Sequence, residues 1–244
     1  MPEPSTPGAS LDREFEQSWT RADQVKGWMT REQALHLWQA VRRLDRGAVV
    51  VEIGSHHGRS TLMLAAAART VGAKVVAIDP FVDTPMFGGS ATRHSFEANI
   101  AGAGLGDVVE LVVDRSTALR PTWNRPFDLL YIDGKHDYWT YTDDLRWSRH
   151  LPPGGEVLVH DCFSSLGVTL GTLAKVLCGS RYTYLDRASS LARFRVRRPA
   201  GRDRLRVLAQ MPWFARNAVF KILLRLRLYP VARRLGHEGR YDPY

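Results

Sequence analysis

The chain has 244 residues, of which 44% are hydrophobic and 24% are charged. This is an ordinary globular composition, so it excludes a disordered chain and a fibrous repeat. The length suits one α/β domain with appendages or two small domains. The sequence has no run of about 18 apolar residues, so it predicts no membrane-spanning helix. The two cysteines form no disulfide framework or zinc motif. Together with a polar, Pro-rich N-terminus that does not resemble a secretory signal, they predict a cytoplasmic protein.

The net charge of +9 is unevenly distributed along the chain. Residues 193–244 contain 14 basic and 3 acidic residues, a net charge of +11, while residues 1–192 carry −2. The basic character therefore belongs to the tail and gives no information about the ligand of the main domain.

Residues 1–46 are predicted to be a lead of about ten disordered residues followed by a helical extension. Thr30 and Gln33 have the spacing of a capping box, and an amphipathic stretch follows them until Gly47. The extension is expected to pack against the edge of the main domain.

Residues 47–198 alternate between apolar β-branched runs and helical patterns. The alternation predicts an α/β domain with a doubly wound, mostly parallel sheet, whose ligands bind at the carboxyl ends of the strands. The last two strands, joined by residues 187–190, are expected to form an antiparallel hairpin. The predicted strands are residues 48–53, 74–79, 108–113, 127–133, 156–160, 181–186 and 191–196.

The ends of the first two strands indicate an adenosine-type ligand. Gly54, Ser55 and Gly58 form a turn that lets a ligand approach the backbone near a helix N-terminus. The turn lacks the third glycine of a dinucleotide fingerprint, which disfavours a nicotinamide dehydrogenase. Asp79 follows the second strand, 25 residues after Gly54, where a carboxylate can accept both ribose hydroxyls. A turn-stabilising carboxylate is the alternative interpretation.

The later strand ends bring acidic residues and histidines together. Asp133 and His136 follow the fourth strand, and His160 and Asp161 end the fifth. Two carboxylates in one cleft are costly unless a cation or a proton neutralises them. The pattern therefore leaves two interpretations open, a divalent metal site and a catalytic base.

These motifs together resemble the class I S-adenosylmethionine-dependent methyltransferases, most closely their small-molecule and sugar O-methyltransferase branch. The resemblance covers roughly residues 28–196. It is carried by Val51-Glu52-Ile53-Gly54-Ser55 with Gly58-Arg59-Ser60-Thr61, by Ile132-Asp133-Gly134-Lys135-His136-Asp137-Tyr138, and by Pro153-Gly154-Gly155 followed by His160-Asp161.

The resemblance implies a Rossmann-like, seven-stranded sheet with an antiparallel last strand, and a cofactor bound across strands one to three. Asp79 would hold the ribose and Ser116 would neighbour the adenine. Glu52 would orient the glycine turn from below, and Asp133 would lie near the methionine amine or a metal. The implied cofactor-binding residues are Glu52, Gly54, Ser55, Gly58, Asp79, Ser116 and Asp133.

Methyl transfer requires an aligned acceptor oxygen and a group that removes its proton. His136 is the favoured base because imidazole titrates near neutral pH, with a structural role as the alternative, and His160 is the second candidate. Asp161 would orient the base or bind Mg²⁺ together with Asp133. Cys162 occupies the place where metal-dependent relatives carry a third oxygen ligand, so metal dependence stays open.

Residues 199–244 are predicted to be a basic helical tail in which Pro212 begins a helix and Asn217, Lys221 and Arg225 form one polar stripe. Residues 202–235 suit an anionic membrane surface at the inner face of the membrane. Packing on the domain or a homo-oligomer face is the alternative.

The expected acceptor is a small molecule or a glycan, not a specific nucleic acid. The competing functions are nucleotide binding without methylation, and membrane or nucleic-acid association through the tail.

Overall fold

The computed structural model describes residues 7–83 and 88–237, and side chains from Arg13 onward. Its seven strands form one sheet in the order β3-β2-β1-β4-β5-β7-β6. This confirms the predicted Rossmann-like α/β fold. The strands are β1 (Val49–Ile53), β2 (Lys74–Ile78), β3 (Val109–Val112), β4 (Leu129–Ile132), β5 (Glu156–Val159), β6 (Tyr182–Ala188) and β7 (Leu191–Val196).

Ten α-helices accompany the strands in the described part of the chain. A 3₁₀ segment (Leu145–His150) follows α6 and a π-helical segment (Leu173–Leu177) follows α7. The helices are α1 (Pro7–Gln24), α2 (Arg31–Arg42), α3 (Arg59–Val71), α4 (Gly89–Gly102), α5 (Ser116–Leu119), α6 (Tyr138–Asp144), α7 (Leu166–Thr172), α8 (Gly201–Leu208), α9 (Met211–Arg225) and α10 (Tyr229–Arg234).

The chain divides into two compact units, and the first ends at Arg115. In this unit β1, β2 and β3 pair in parallel, and the Ala-rich face of α3 is buried. The predicted capping box is confirmed at α2, where Thr30 and Gln33 bond to each other's backbone N–H groups. The N-terminal prediction is wrong in one respect, because α1 already begins at Pro7; residues 1–6 of the expected lead lie outside the described residues.

The second unit begins at Ser116. Strands β4 and β5 are parallel, and β7 pairs antiparallel with both β5 and β6. The expected hairpin is confirmed, but its four-residue turn is wrong. Strand β6 continues to Ala188, which pairs with Leu191, so only Ser189 and Ser190 form the turn, with Ser189 at φ 51°. Pairing with β7 therefore extends β6 by two residues beyond the predicted strand end.

The described part of the basic tail, up to His237, is helical, as predicted, and folds as α8, α9 and α10, while residues 238–244 of the predicted tail lie outside the described residues. Pro212 lies in the first turn of α9, where a proline costs no helical hydrogen bond. Among the described residues, no helix has the combined length and apolar character that crossing a bilayer requires.

Candidate active site

The turn after β1 is shaped by glycines in left-handed conformations. Gly54 has φ 89° and Gly58 has φ 87°, values that side chains disfavour. A Cβ atom at Gly58 would also lie 3.1 Å from the ring of Phe96. Both positions therefore favour glycine for the backbone conformation, and Gly58 favours it for packing as well.

Glu52 lies beneath this turn and is fully buried. Its carboxylate accepts hydrogen bonds of 2.5 Å from the hydroxyls of Ser60 and Thr61, in the first turn of α3. Buried carboxylates need such partners to offset their lost hydration. Glu52 thus links the strand to the helix and holds the turn between them in shape, the orienting role that the resemblance implied.

Asp79 follows β2 and is engaged by the backbone of unit 1. Its Oδ2 accepts the N–H groups of Ser55 and His56, both at 2.9 Å, and its Oδ1 accepts that of Phe81 at 2.7 Å. A carboxylate has about four acceptor positions, so three are used within the chain. Asp79 is therefore a turn-stabilising carboxylate, and its predicted ribose contact stays a prediction that relies on the remaining position of Oδ1.

The N-terminal extension is fastened to this turn by Arg59, which sequence reasoning did not single out. Arg59 is buried and donates to the carbonyls of Asp23 and Met29 at 2.9 and 3.1 Å. Trp28, in the same segment, stacks on His56 at 5.9 Å between ring centroids. The extension is thus part of the wall around the glycine turn.

In the second unit, the structure brings together the four residues predicted at the ends of β4 and β5. His136 Nδ1 lies 2.9 Å from Asp161 Oδ2, and its Nε2 lies 3.4 Å from Asp133 Oδ1. His160 Nδ1 lies 3.3 Å from the same oxygen of Asp133, and Tyr131 donates its hydroxyl to Asp133 Oδ2 at 2.9 Å. We call Asp133, His136, His160 and Asp161 the acid–histidine cluster.

Exposure distinguishes the two histidines of the cluster. The side chain of His136 is 40% exposed, whereas that of His160 is 5% exposed. A group that exchanges a proton with a bound molecule must be within its reach. Of the two candidate bases, His136 is the accessible one.

The charges of the cluster shift the pKa values of its members. Burial by itself would lower the pKa of His136, but its hydrogen bonds to Asp133 and Asp161 and their negative charges outweigh burial and raise the pKa to about 10. Burial would raise the pKa of Asp161, but His136, His160 and Lys221 lower it well below its usual range. At neutral pH the pair is therefore an imidazolium and a carboxylate, whereas the sequence predicted an imidazole that titrates near neutrality.

Ser116 uses its hydroxyl within the second unit. Its Oγ donates to Asp144 Oδ1 at 2.6 Å, and both residues are buried. Burial raises the pKa of Asp144 to about 7, despite the opposing hydrogen bond from Ser116. The predicted hydroxyl contact between Ser116 and an adenine stays a prediction, and it would compete with this bond.

Comparisons with known proteins agree with this fold and these motifs. Residues 51–162 match a family model described as a methyltransferase domain. The matched segment includes the glycine turn and the whole acid–histidine cluster. The chain therefore contains a methyltransferase domain, carried on a Rossmann-like sheet.

Solved structures share the fold of this methyltransferase at low sequence identity. Cofactor-bound Rv0187 from MTB is 20% identical, with a TM-score of 0.55 over 82% of this chain and 100% of its own. The SAH-bound methyltransferase PaMTH1 from Podospora anserina is 18% identical, with a TM-score of 0.56 over 82% and 89%. The O-methyltransferase TomG from Streptomyces achromogenes, in complex with SAM, is 18% identical, with a TM-score of 0.51 over 78% and 90%.

The glycine turn of the methyltransferase fits an adenosyl ligand in one further respect. Ser55 is 2% exposed, and within the described residues no hydrogen bond reaches its Oγ. A buried hydroxyl without a partner is unfavourable unless a ligand or water satisfies it. This observation supports Ser55 as a residue that would contact the cofactor.

The donor atoms of the cluster do not favour magnesium. One ligand atom each from Asp133, His136 and His160 lie within 4.8 Å of one another. Two of these three donors are imidazole nitrogens, which suit zinc, iron or nickel better than the oxygen-seeking magnesium. The predicted pair of Asp133 and Asp161 would supply oxygen ligands, but Asp161 is hydrogen-bonded to His136.

The loop that carries Asp161 is held by α9, which sequence reasoning did not place at the site. Asp161 and Phe163 have φ values of 55° and 59°, which are strained for residues other than glycine. Asn217 donates to the carbonyl of Phe163 at 3.1 Å, and Lys221 Nζ donates to that of Ser164 at 2.9 Å.

These two hydrogen bonds stabilise the strained loop. Their donors lie on α9, which is outside the segment matched by the family model. The four-residue spacing of Asn217 and Lys221 was the one sequence signal, and it predicted only a polar stripe. The spacing could not reveal the partner, because the contacted carbonyls lie more than 50 residues earlier in the chain.

Proposed function

We propose that this methyltransferase methylates a hydroxyl oxygen of a small molecule or glycan, with His136 as the group that accepts the hydroxyl proton. One observation carries the proposal: His136 is 40% exposed while its Nδ1 is held 2.9 Å from a buried carboxylate of Asp161. This arrangement orients an accessible imidazole by a hydrogen bond, as a proton acceptor requires. The choice of oxygen as the acceptor atom is supported by TomG, an O-methyltransferase that shares the fold.

Bound S-adenosylmethionine would supply an activated methyl group on a positively charged sulfur. The chain would hold it through the glycine turn, with Gly54 and Gly58 allowing close approach and Ser55 offering its buried hydroxyl. In each unit the candidate residues follow the carboxyl end of a parallel strand, the position at which such strands bind ligands.

His136 must be neutral before it can accept a proton. The negative charges of Asp133 and Asp161 oppose this step by raising its pKa to about 10. A positively charged group bound near these carboxylates would weaken their effect on the pKa of His136. The lower pKa would let His136 lose its proton. Asp161 would then stabilise the imidazolium that forms again during the reaction, as a positioning carboxylate does.

Magnesium is not needed for this proposal, and its binding to Asp133 and Asp161 stays a prediction. Whether the acceptor is a small molecule or a glycan also stays a prediction. A glycan carried by a membrane lipid would suit the peripheral membrane location that the basic tail predicts.

The test uses labelled S-adenosylmethionine and a panel of hydroxylated small molecules and sugars, each paired with a version whose hydroxyl is blocked. We expect label on the free hydroxyl compounds only. His136→Ala should lose transfer while titration calorimetry still detects cofactor binding. Label on nitrogen or carbon atoms, or full transfer by His136→Ala, would refute the assignment.

A further inference from the structure

Helix α9 has two opposite faces of different character. Val219, Ile222 and the C-cap residue Leu226 recur at the spacing of one helical face, and they are 49%, 58% and 62% exposed. Asn217 and Phe220, on the other side, are buried. Large aliphatic side chains on a helix normally face a core, so this exposed row marks a surface suited to interaction with a partner or a membrane.

The orientation of α9 is fixed by polar contacts and not by its apolar residues alone. Asn217 bonds to Phe163, and Lys221 bonds to both the carbonyl and the hydroxyl of Ser164 at 2.9 and 3.3 Å. A rotation that buried Ile222 would break these bonds. The exposed row is therefore a stable feature of the folded protein.

Exposed apolar and basic residues continue through the end of α9 and into α10. Val231 is 43% and Leu235 59% exposed. The basic residues Arg225, Arg227, Arg233 and Arg234 are exposed, and in the described part of the chain none of the four forms an ion pair. We call Val219, Ile222, Leu226, Val231, Leu235 and these four arginines the C-terminal patch.

We propose that the C-terminal patch docks the methyltransferase on an anionic lipid bilayer, with α9 lying in the plane of the interface. Aliphatic side chains gain by entering the boundary between headgroups and acyl chains, while the arginines meet lipid phosphates. The proposal goes beyond methyl transfer and does not depend on the acceptor.

Charge selects the bilayer over a second copy of this chain. Residues 201–237 contain nine basic residues and one acidic residue, and that acid, Asp203, is buried. An interface between two such patches would bring like charges together. Nucleic acid would pair with the arginines but would leave the exposed Ile222 and Leu226 uncovered.

The test is sedimentation of the full-length protein with vesicles of phosphatidylcholine alone, or of phosphatidylcholine mixed with phosphatidylglycerol. We expect binding to the anionic vesicles only, weakened by salt because surface charges are screened. Ile222→Glu with Leu226→Glu should abolish it. Arg225→Gln with Arg227→Gln should reduce the partition coefficient about thirtyfold, since each basic residue near an anionic surface contributes ~1 kcal/mol.

Matched controls separate the patch from general charge and hydrophobicity. Arg21→Gln with Arg69→Gln removes two exposed arginines elsewhere, and Leu170→Glu changes an exposed leucine of α7; both should bind vesicles like wild type. The arginine variants keep every apolar contact, so they remain informative if the glutamate pair fails to fold. Circular dichroism checks folding of each variant.

Three results would overturn the proposal. The first is a wild-type protein that ignores anionic vesicles, and the second is vesicle binding that survives the glutamate pair in a folded protein. The third is a wild-type dimer, seen by light scattering, that the glutamate pair dissociates without any lipid binding; the patch would then be an interface between copies. None of these results depends on methyl transfer, so the proposed function is tested separately.

Discussion

Replacing Asn217 by alanine should disturb the geometry of the acid–histidine cluster, although Asn217 lies on α9 and is not a member of the cluster. Asn217 is fully buried and donates to the carbonyl of Phe163 at 3.1 Å. Its loss leaves that carbonyl without this donor, at a cost of about 1–3 kcal/mol. The left-handed residues Asp161 and Phe163 each store a similar strain of about 1–3 kcal/mol.

Because the two energies are comparable, the loop should relax and loosen the contact between Asp161 and His136. A change of about 1–3 kcal/mol corresponds to a population shift of about 5- to 150-fold. The pKa of His136, followed by NMR titration of its ring protons, should fall from about 10 toward its usual value. Turnover should decrease by a factor within that range, while affinity for S-adenosylmethionine should not change.

Val219→Ala is the matched control, because Val219 lies two residues further along α9 and is 49% exposed. It should leave the pKa of His136 and turnover unchanged. If Asn217→Ala lowers the melting temperature but leaves the pKa of His136 at its wild-type value, Asn217 only packs the helix. The positioning role would then be refuted.

Four further predictions concern Asp79 and the acid–histidine cluster. Asp79→Asn can accept with only one oxygen, so it should weaken cofactor binding and also lower the melting temperature; weaker binding at an unchanged melting temperature would instead indicate a pure ribose contact. His136→Ala should keep cofactor binding and reduce turnover by about 10²–10⁴-fold. In the wild type, turnover without added metal should rise with pH as the imidazolium of His136 loses its proton toward pH 10, and a pH-independent rate between pH 7 and 9 would contradict a base with a raised pKa. Treatment with EDTA should leave turnover intact if Asp133 and Asp161 act without a metal, whereas loss of activity that zinc or magnesium restores would show that the cluster holds one.

Features that depend on neighbouring residues in the chain could be read from the sequence. The β-branched run of β1, the glycines of the following turn and the capping box of Thr30 and Gln33 are local signals, and the structure confirms them. The hairpin turn is the informative error, because residues 187 and 188 were predicted to belong to the turn and yet pair with β7. Strand pairing is a tertiary interaction, so it can override local preference.

The candidate site was partly predictable, because the residues that follow each strand can be read from the sequence. The carboxyl ends of strands β4 and β5 are marked by Asp133 and Asp161, and the topology of a parallel sheet predicts that such residues lie at its binding edge. Their distances to His136, and hence its raised pKa, depend on how two loops fold against each other. No sequence spacing encodes that separation.

By itself, the sequence determined the fold class, the glycine turn and the residues that form the acid–histidine cluster, because strand and helix periodicity and conformational preference act over short distances. Only the tertiary structure decided that the Asp79 carboxylate is engaged by three backbone N–H groups and that Asn217 and Lys221 hold the loop of Asp161. It also decided which face of α9 stays exposed. These properties arise from contacts between segments that are distant in the chain, where burial, hydrogen bonding and charge act together and local pattern carries no information.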